Sequence, residues 1–131
     1  MIDPTKPGED VVGFLTERHL ATLSLVLPDG TVHSSAVGFT WDGDTTAARI
    51  ITFNGAQKAR LLESHGEMVA SLCQIDGGRW LALHGTATVS ADPEVNADAE
   101  SRYAERYRPP GDRGADRRTI VVAVDRIVGR T

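Results

Sequence analysis

Ala21-Thr22-Leu23-Ser24-Leu25-Val26-Leu27-Pro28-Asp29-Gly30-Thr31-Val32 is the stretch on which the fold turns. Ala21, Leu23, Leu25 and Leu27 alternate with Thr22, Ser24 and Val26, the period-two pattern of a half-buried strand. Pro28-Asp29-Gly30-Thr31 then reverses the chain, because glycine accepts the positive backbone angle that tight hairpin turns need. A second strand is predicted from Val32 to Trp41, with Val37, Phe39 and Trp41 on one face and Ser34, Ala36 and Gly38 on the other. A ferredoxin-like sandwich fits less well, since it would join these two strands through a helix.

Upstream, Val12, Leu15 and His19, with Val11 and Phe14, make an apolar stripe at helical spacing over Glu9–His19. Residues 1–8 hold two prolines and a glycine and read as a loose lead-in. Downstream, Asp42-Gly43-Asp44 turns the chain into a strand over Ala48–Phe53. A short helix follows over Ala56–His65, with Asn54-Gly55 at its start and Gly66 at its end. Strands are predicted over Glu67–Ile75 and Arg79–Val89, joined by Asp76-Gly77-Gly78. Asp92-Pro93-Glu94 opens a helix whose stripe is Val95, Ala99, Tyr103 and Tyr107. Residues 108–118 form a breaker-rich surface loop. The last strand, Thr119–Val124, is apolar on both faces and should be central. Six strands joined mainly by hairpins imply antiparallel pairing. The expected fold is mainly β (α+β): six antiparallel strands in a small closed or split β-barrel, rather than an open sheet, with three peripheral helices.

The 131 residues make one domain, with 40% hydrophobic and 24% charged residues, which excludes wholesale disorder. No apolar run approaches the roughly 18–20 residues of a membrane span, and the N-terminus lacks the basic and apolar segments of a secretory signal. Cys73, the single cysteine, makes no internal disulfide, so a reduced, cytoplasmic setting is expected. The net charge of −4 argues against bulk attraction to nucleic acid or anionic membrane. Twelve of the fourteen basic residues are arginines, so an anion site here is expected to use arginine plus Lys58.

Three segments carry candidate chemistry. In Arg49–Arg60 a strand runs through a glycine turn into a helix, whose first-turn amides favour an anion. Lys58 and Arg60 stand in that turn, where the helix dipole disfavours cations. A phosphate beside Thr52 and Gly55 explains them; so does a solvated helix face. In Val32–Gly38 one face carries only small and hydroxylated side chains. It suits a flat ring, or is an ordinary edge strand. In Cys73–Leu81, Trp80 beside Arg79 either packs on an aromatic anion or is a core or interface aromatic. No metal-ligand spacing joins His19, His33, His65 and His84. His84 reads as a packed core or interface residue. No nucleophile elbow or paired carboxylates stand out, and no catalytic residue is assigned. Most of Arg102, Arg106, Arg108, Arg113, Arg117 and Arg118 read as solvated, with a minority at the mouth of a site.

The chain resembles the flavin-binding split-barrel superfamily that contains pyridoxamine 5'-phosphate oxidase. More narrowly it resembles the branch using the deazaflavin coenzyme F420, and within that branch it is similar to the small biliverdin reductases. The matching stretches are Phe14–Ala21, Ala36–Thr40, Ala48–Thr52, Ser71–Leu81 and Arg102–Tyr107. The resemblance implies a homodimer with two cofactor sites at the subunit interface, and hydride transfer from reduced F420 to a biliverdin-like acceptor. It places Thr52, Gln57 and Lys58 at the cofactor phosphate, and Ser34, Ser35, Ala36, Ile50 and Ile51 along the ring. Gln74, Arg79, Trp80 and Leu81 would approach from the other subunit. FMN is the alternative cofactor, and a non-catalytic cofactor- or haem-binding protein the alternative function.

Overall fold

The computed structural model describes all residues, Met1–Thr131. The elements in chain order are α1 (Glu9–Thr16), β1 (Ala21–Val26), β2 (Val32–Val37), β3 (Thr40–Asp42), β4 (Ala47–Phe53), α2 (Gln57–His65), β5 (Met68–Asp76), β6 (Arg79–Ser90), α3 (Pro93–Arg106) and β7 (Arg117–Arg130), with a single 3-10 turn at Gly114–Asp116. Every pairing is antiparallel.

The sheet has seven strands, not the six expected, in the order β2-β1-β5-β6-β7-β4-β3. The predicted strand Val32–Trp41 breaks at Gly38-Phe39. Before the break, β2 pairs with β1; after it, β3 pairs with β4. No ladder closes the sheet, since β2 and β3 are its two edges. Yet only two residues separate those edges in sequence. Three Cα–Cα steps span at most roughly 11 Å, so the sheet must curl until its ends nearly meet. The covalent chain bridges them at one corner, and a gap is left between β2 and β4. One core fills the interior, drawing Leu23 and Leu25 from β1, Ile50 from β4, Leu72 from β5, Leu81 and Leu83 from β6, and Ile120 and Ile127 from β7.

The corner depends on a glycine. A Cβ on Gly38 would lie 3.0 Å from the Tyr103 ring and 3.1 Å from the Tyr107 ring. At the β1–β2 hairpin Gly30 has φ 88°, as the turn prediction required, and Asp29 accepts hydrogen bonds from the Thr31 amide and hydroxyl.

Several boundaries move. Helix α1 ends at Thr16 rather than His19: Glu17 turns out to extended backbone and its carboxylate is taken by Arg79 at the β5–β6 hairpin. Its buried residues are Val11, Phe14 and Leu15; Val12 is exposed and His19 half-buried. In α3 the buried positions are Asn96 and Ala99, with Val95, Tyr103 and Tyr107 only half-buried. Asn96 donates to the Arg117 carbonyl and accepts from the Thr119 hydroxyl at 2.7 Å, so a satisfied polar pair docks the helix where an apolar stripe was expected. Strand β7 is central, between β6 and β4, but runs to Arg130. A bulge between His84 and Gly85 leaves Asp125 unpaired and lets the strand continue past the polar Asp125-Arg126 that ended the sequence pattern. The lead-in is tied down: Ile2 bridges to Ile127 and packs on the core. The loop ends earlier than predicted, because Arg117 is buried at the start of β7.

Candidate functional site

A cleft of about 450 Å³ opens at the gap between the sheet edges. Ala36, Val37 and Gly38 form one wall, Ile51, Thr52 and Phe53 the other, Lys58 of α2 closes one end, and Tyr103 with the Arg108–Gly111 segment, Arg113 and Arg117 completes it. The lining contains four cations and no carboxylate.

The four cations differ in state. Arg117 is 6% exposed and fully engaged. It donates to Glu100 at 3.2 Å, to the Thr52 carbonyl at 3.2 Å and to the Gly111 carbonyl at 2.5 Å. It therefore ties the loop to β4 and α3. Arg113 lies over the Phe53 ring, 4.2 Å from its centroid, and Arg108 is exposed. Lys58 is half-buried, and burial pushes its ammonium below the ordinary lysine range. Lys58, Arg108 and Arg113 belong to none of the ion pairs in the structure.

The local sequence explains why Lys58 stands there. The chain leaves β4 through Asn54-Gly55, pinned by the Asn54 amide donating to the Asp116 carbonyl at 2.8 Å. Helix α2 starts with Ala56 as its cap residue, no side chain capping it and no acid in its first turn. Its leading amides and the Lys58 ammonium thus share one uncompensated positive end.

The other predicted site residues are scattered. Thr52, Lys58, Ala36 and Ile51 meet at the cleft. Gln57 and Arg60 are exposed on α2, outside the lining. Ser34 faces outward, its hydroxyl 3.2 Å from that of Ser24, while the buried Ser35 hydroxyl oxygen has no partner. Ile50 and Leu81 are core residues. Gln74 is wholly buried, donating to the Phe14 carbonyl at 2.9 Å and accepting from Arg106 at 2.6 Å. Arg79 is held by Glu17 and Asp76, and Trp80 is 38% exposed on the outer face. Sequence reasoning did not single out Phe53, Tyr103 or the Pro109-Pro110-Gly111 segment. For the loop, the available signal was a run of cations around an apolar Pro-Pro pair.

The model of the pyridoxamine 5'-phosphate oxidase family matches residues 8–130. The chain belongs to that family. This pyridoxamine 5'-phosphate oxidase family member is 45% identical over 126 residues to the F420H(2)-dependent biliverdin reductase of Mycobacterium tuberculosis (strain CDC 1551 / Oshkosh), covering 95% of this chain and 89% of that protein. It is 28% identical to an F420 reductase of known structure, with a TM-score of 0.69 over 88% of this chain and 94% of that one. Conserved hypothetical protein Rv2991 from Mycobacterium tuberculosis shares the fold, with a TM-score of 0.75 at 20% identity over 94% of this chain and 84% of that one.

Proposed function

We propose that this chain is an F420-dependent oxidoreductase, transferring a hydride from the reduced deazaflavin to a conjugated, biliverdin-like acceptor. The observation that carries the reading is the cleft: Lys58, Arg108 and Arg113, without acidic partners, surround one cavity at the amino end of α2. A half-desolvated ammonium with no counter-charge is a position that an anionic ligand group relieves. The residues present therefore fit a coenzyme that carries phosphate and further acid groups. The relative with 45% identity and an F420-dependent activity supports the same choice.

When bound, the reduced deazaflavin supplies a hydride from a ring carbon. The chain's part is to hold, orient and shield. Lys58, Thr52 and the leading amides of α2, that of Gln57 among them, would take the phosphate. Ala36, Gly38 and Ile51 give small, flat walls for a ring, with Ser34 and Ser35 further along β2 and Ile50 behind them in the core. No carboxylate or histidine lines the cleft, so the product's proton would come from solvent or from an arginine-bound water. Hydride transfer in such a site depends chiefly on near contact and water exclusion.

In this reading the chain works as a homodimer in a reducing, cytoplasmic compartment, and the hairpin with Arg79 and Trp80 reaches the partner's cofactor. Gln74 and Leu81 have buried side chains and backbones paired on both sides within the sheet, so they serve the fold that presents the hairpin rather than the cofactor itself.

Fluorescence titration of the purified protein with F420 and with FMN tests the cofactor, and oxidation of reduced F420 by biliverdin tests the reaction. Saturable F420 binding with turnover is expected. Stoichiometric FMN without F420 binding would move the chain to the FMN-dependent oxidases. Tight binding without turnover of any acceptor would make it a cofactor or haem carrier.

A further inference from the structure

We infer that a second ligand subsite adjoins the cationic cleft across Tyr103 and Arg108, and that it takes a planar conjugated molecule bearing carboxylates. It rests on the reading of the cleft as a cofactor site, for which it supplies the place of the acceptor. A hollow of about 290 Å³ is lined by Arg18, His19, Leu20, Tyr103, Tyr107 and Arg108. Tyr103 and Arg108 also line the cleft, so the two cavities adjoin across these side chains.

The lining selects a chemical class. The Tyr103 and Tyr107 rings lie 4.8 Å apart, tilted by 32°. Tyr107 is fixed, its hydroxyl donating to the His19 carbonyl at 2.7 Å and accepting from the Phe39 amide at 3.1 Å. Leu20, beside them, is 63% exposed. These three provide aromatic and aliphatic surface for a flat π-system. Arg18 and Arg108 are exposed cations that enter no ion pair, and no carboxylate lines the hollow. The acid next to Arg18 in sequence, Glu17, is already held by Arg79 and by the His19 ring. Two free guanidinium groups at an apolar surface match carboxylates on the edge of a flat ligand. A bare small anion would leave Leu20 and the rings unused. A neutral hydrophobe would leave both arginines unused.

Arg18 and Leu20 belong to the hollow and not to the cleft, so they separate the two sites experimentally. Biliverdin and its dimethyl ester are titrated, with and without oxidised F420, into the wild-type chain, Arg18→Glu and Leu20→Asp, following the tetrapyrrole absorption band. F420 affinity is measured on the same samples. Both substitutions are at exposed positions, and circular dichroism checks the fold. Biliverdin affinity is expected to fall about tenfold or more in each variant, a loss of about 1.4 kcal/mol, with F420 affinity within about twofold of wild type. The dimethyl ester should bind wild type and Arg18→Glu alike, because its carboxylates are blocked. Equal biliverdin affinity in all three proteins, or none in wild type under either condition, overturns the subsite. If wild type binds no F420 but biliverdin binding still depends on Arg18, the F420 reading fails and the subsite stands. If F420 binding and turnover are normal but the biliverdin KM ignores Arg18, the subsite fails and the F420 reading stands.

Discussion

Lys58 and Glu17 show how differently two charged side chains serve the same fold. Burial lowers the Lys58 pKa below its ordinary 10.5. Stability therefore rises as pH climbs through the depressed value toward 10.5, and at neutral pH the ammonium is a cost. Lys58→Met is expected to leave the cofactor-free melting temperature unchanged or slightly raised, by no more than about 1 kcal/mol in stability. It should also weaken F420 binding by ~1.5–3 kcal/mol, read by fluorescence titration; unchanged affinity would remove Lys58 from the phosphate site. Glu17 has the opposite sign. Hydrogen bonds from Arg79, then from His19, hold its carboxyl at about 2, against an ordinary 4.5. Its contribution is complete above about pH 4.5 and lost as pH falls through about 2. The difference in urea midpoint between wild type and Glu17→Gln should accordingly shrink over that window and vanish below it.

At the scale of elements, the corner between β2 and β3 decides the cleft, and α3 holds the corner. Arg106 donates to the Glu17 carbonyl at 2.9 Å, the Phe39 carbonyl at 2.6 Å and the Gln74 side chain at 2.6 Å. Tyr107 receives the Phe39 amide. Phe39 is fully buried, so Tyr107→Phe strands that amide without a partner. A loss of about 1–3 kcal/mol is expected, measured by urea unfolding, with weaker F420 binding because Gly38 lines the cleft. Period-two alternation and turn glycines made the hairpins legible in the sequence. The corner was not, since Val37, Phe39 and Trp41 keep alternating straight through the break. Only the tertiary bonds from Arg106 and Tyr107, 67 and 68 residues away from Phe39, mark where the ladder stops. Lys58 and Thr52, which line the cleft, could be picked out from a local strand–turn–helix pattern. Arg113 and Arg117 could not, because their places depend on which strand the loop crosses.

For the whole molecule, the outer face of β2-β1-β5-β6 is the surface that bears on assembly. Val32 is opposite Val26, and Val26 opposite Val69, making an apolar row across three strands. Their exposures are 56%, 37% and 64%. Ile75 opposite Trp80 adds a second apolar pair, at 61% and 38% exposed. An exposed apolar row of this kind on a chain of net charge −4 is a surface that self-association would cover. If a second copy covers it, light scattering should give about twice 14.1 kDa, and Val69→Arg, which sets a charge in the middle of the row on each copy, should yield a monomer. That variant also asks whether the partner completes the cofactor site. If Arg79 and Trp80 reach across to the other subunit's cleft, the Val69→Arg monomer must bind F420 more weakly than wild type, although Val69 does not line the cleft. Trp80→Ala should reproduce the loss of affinity, or of the dimer itself. A monomer with undiminished F420 affinity would mean that each chain holds its cofactor alone, with the cations around its own gap sufficient for the task.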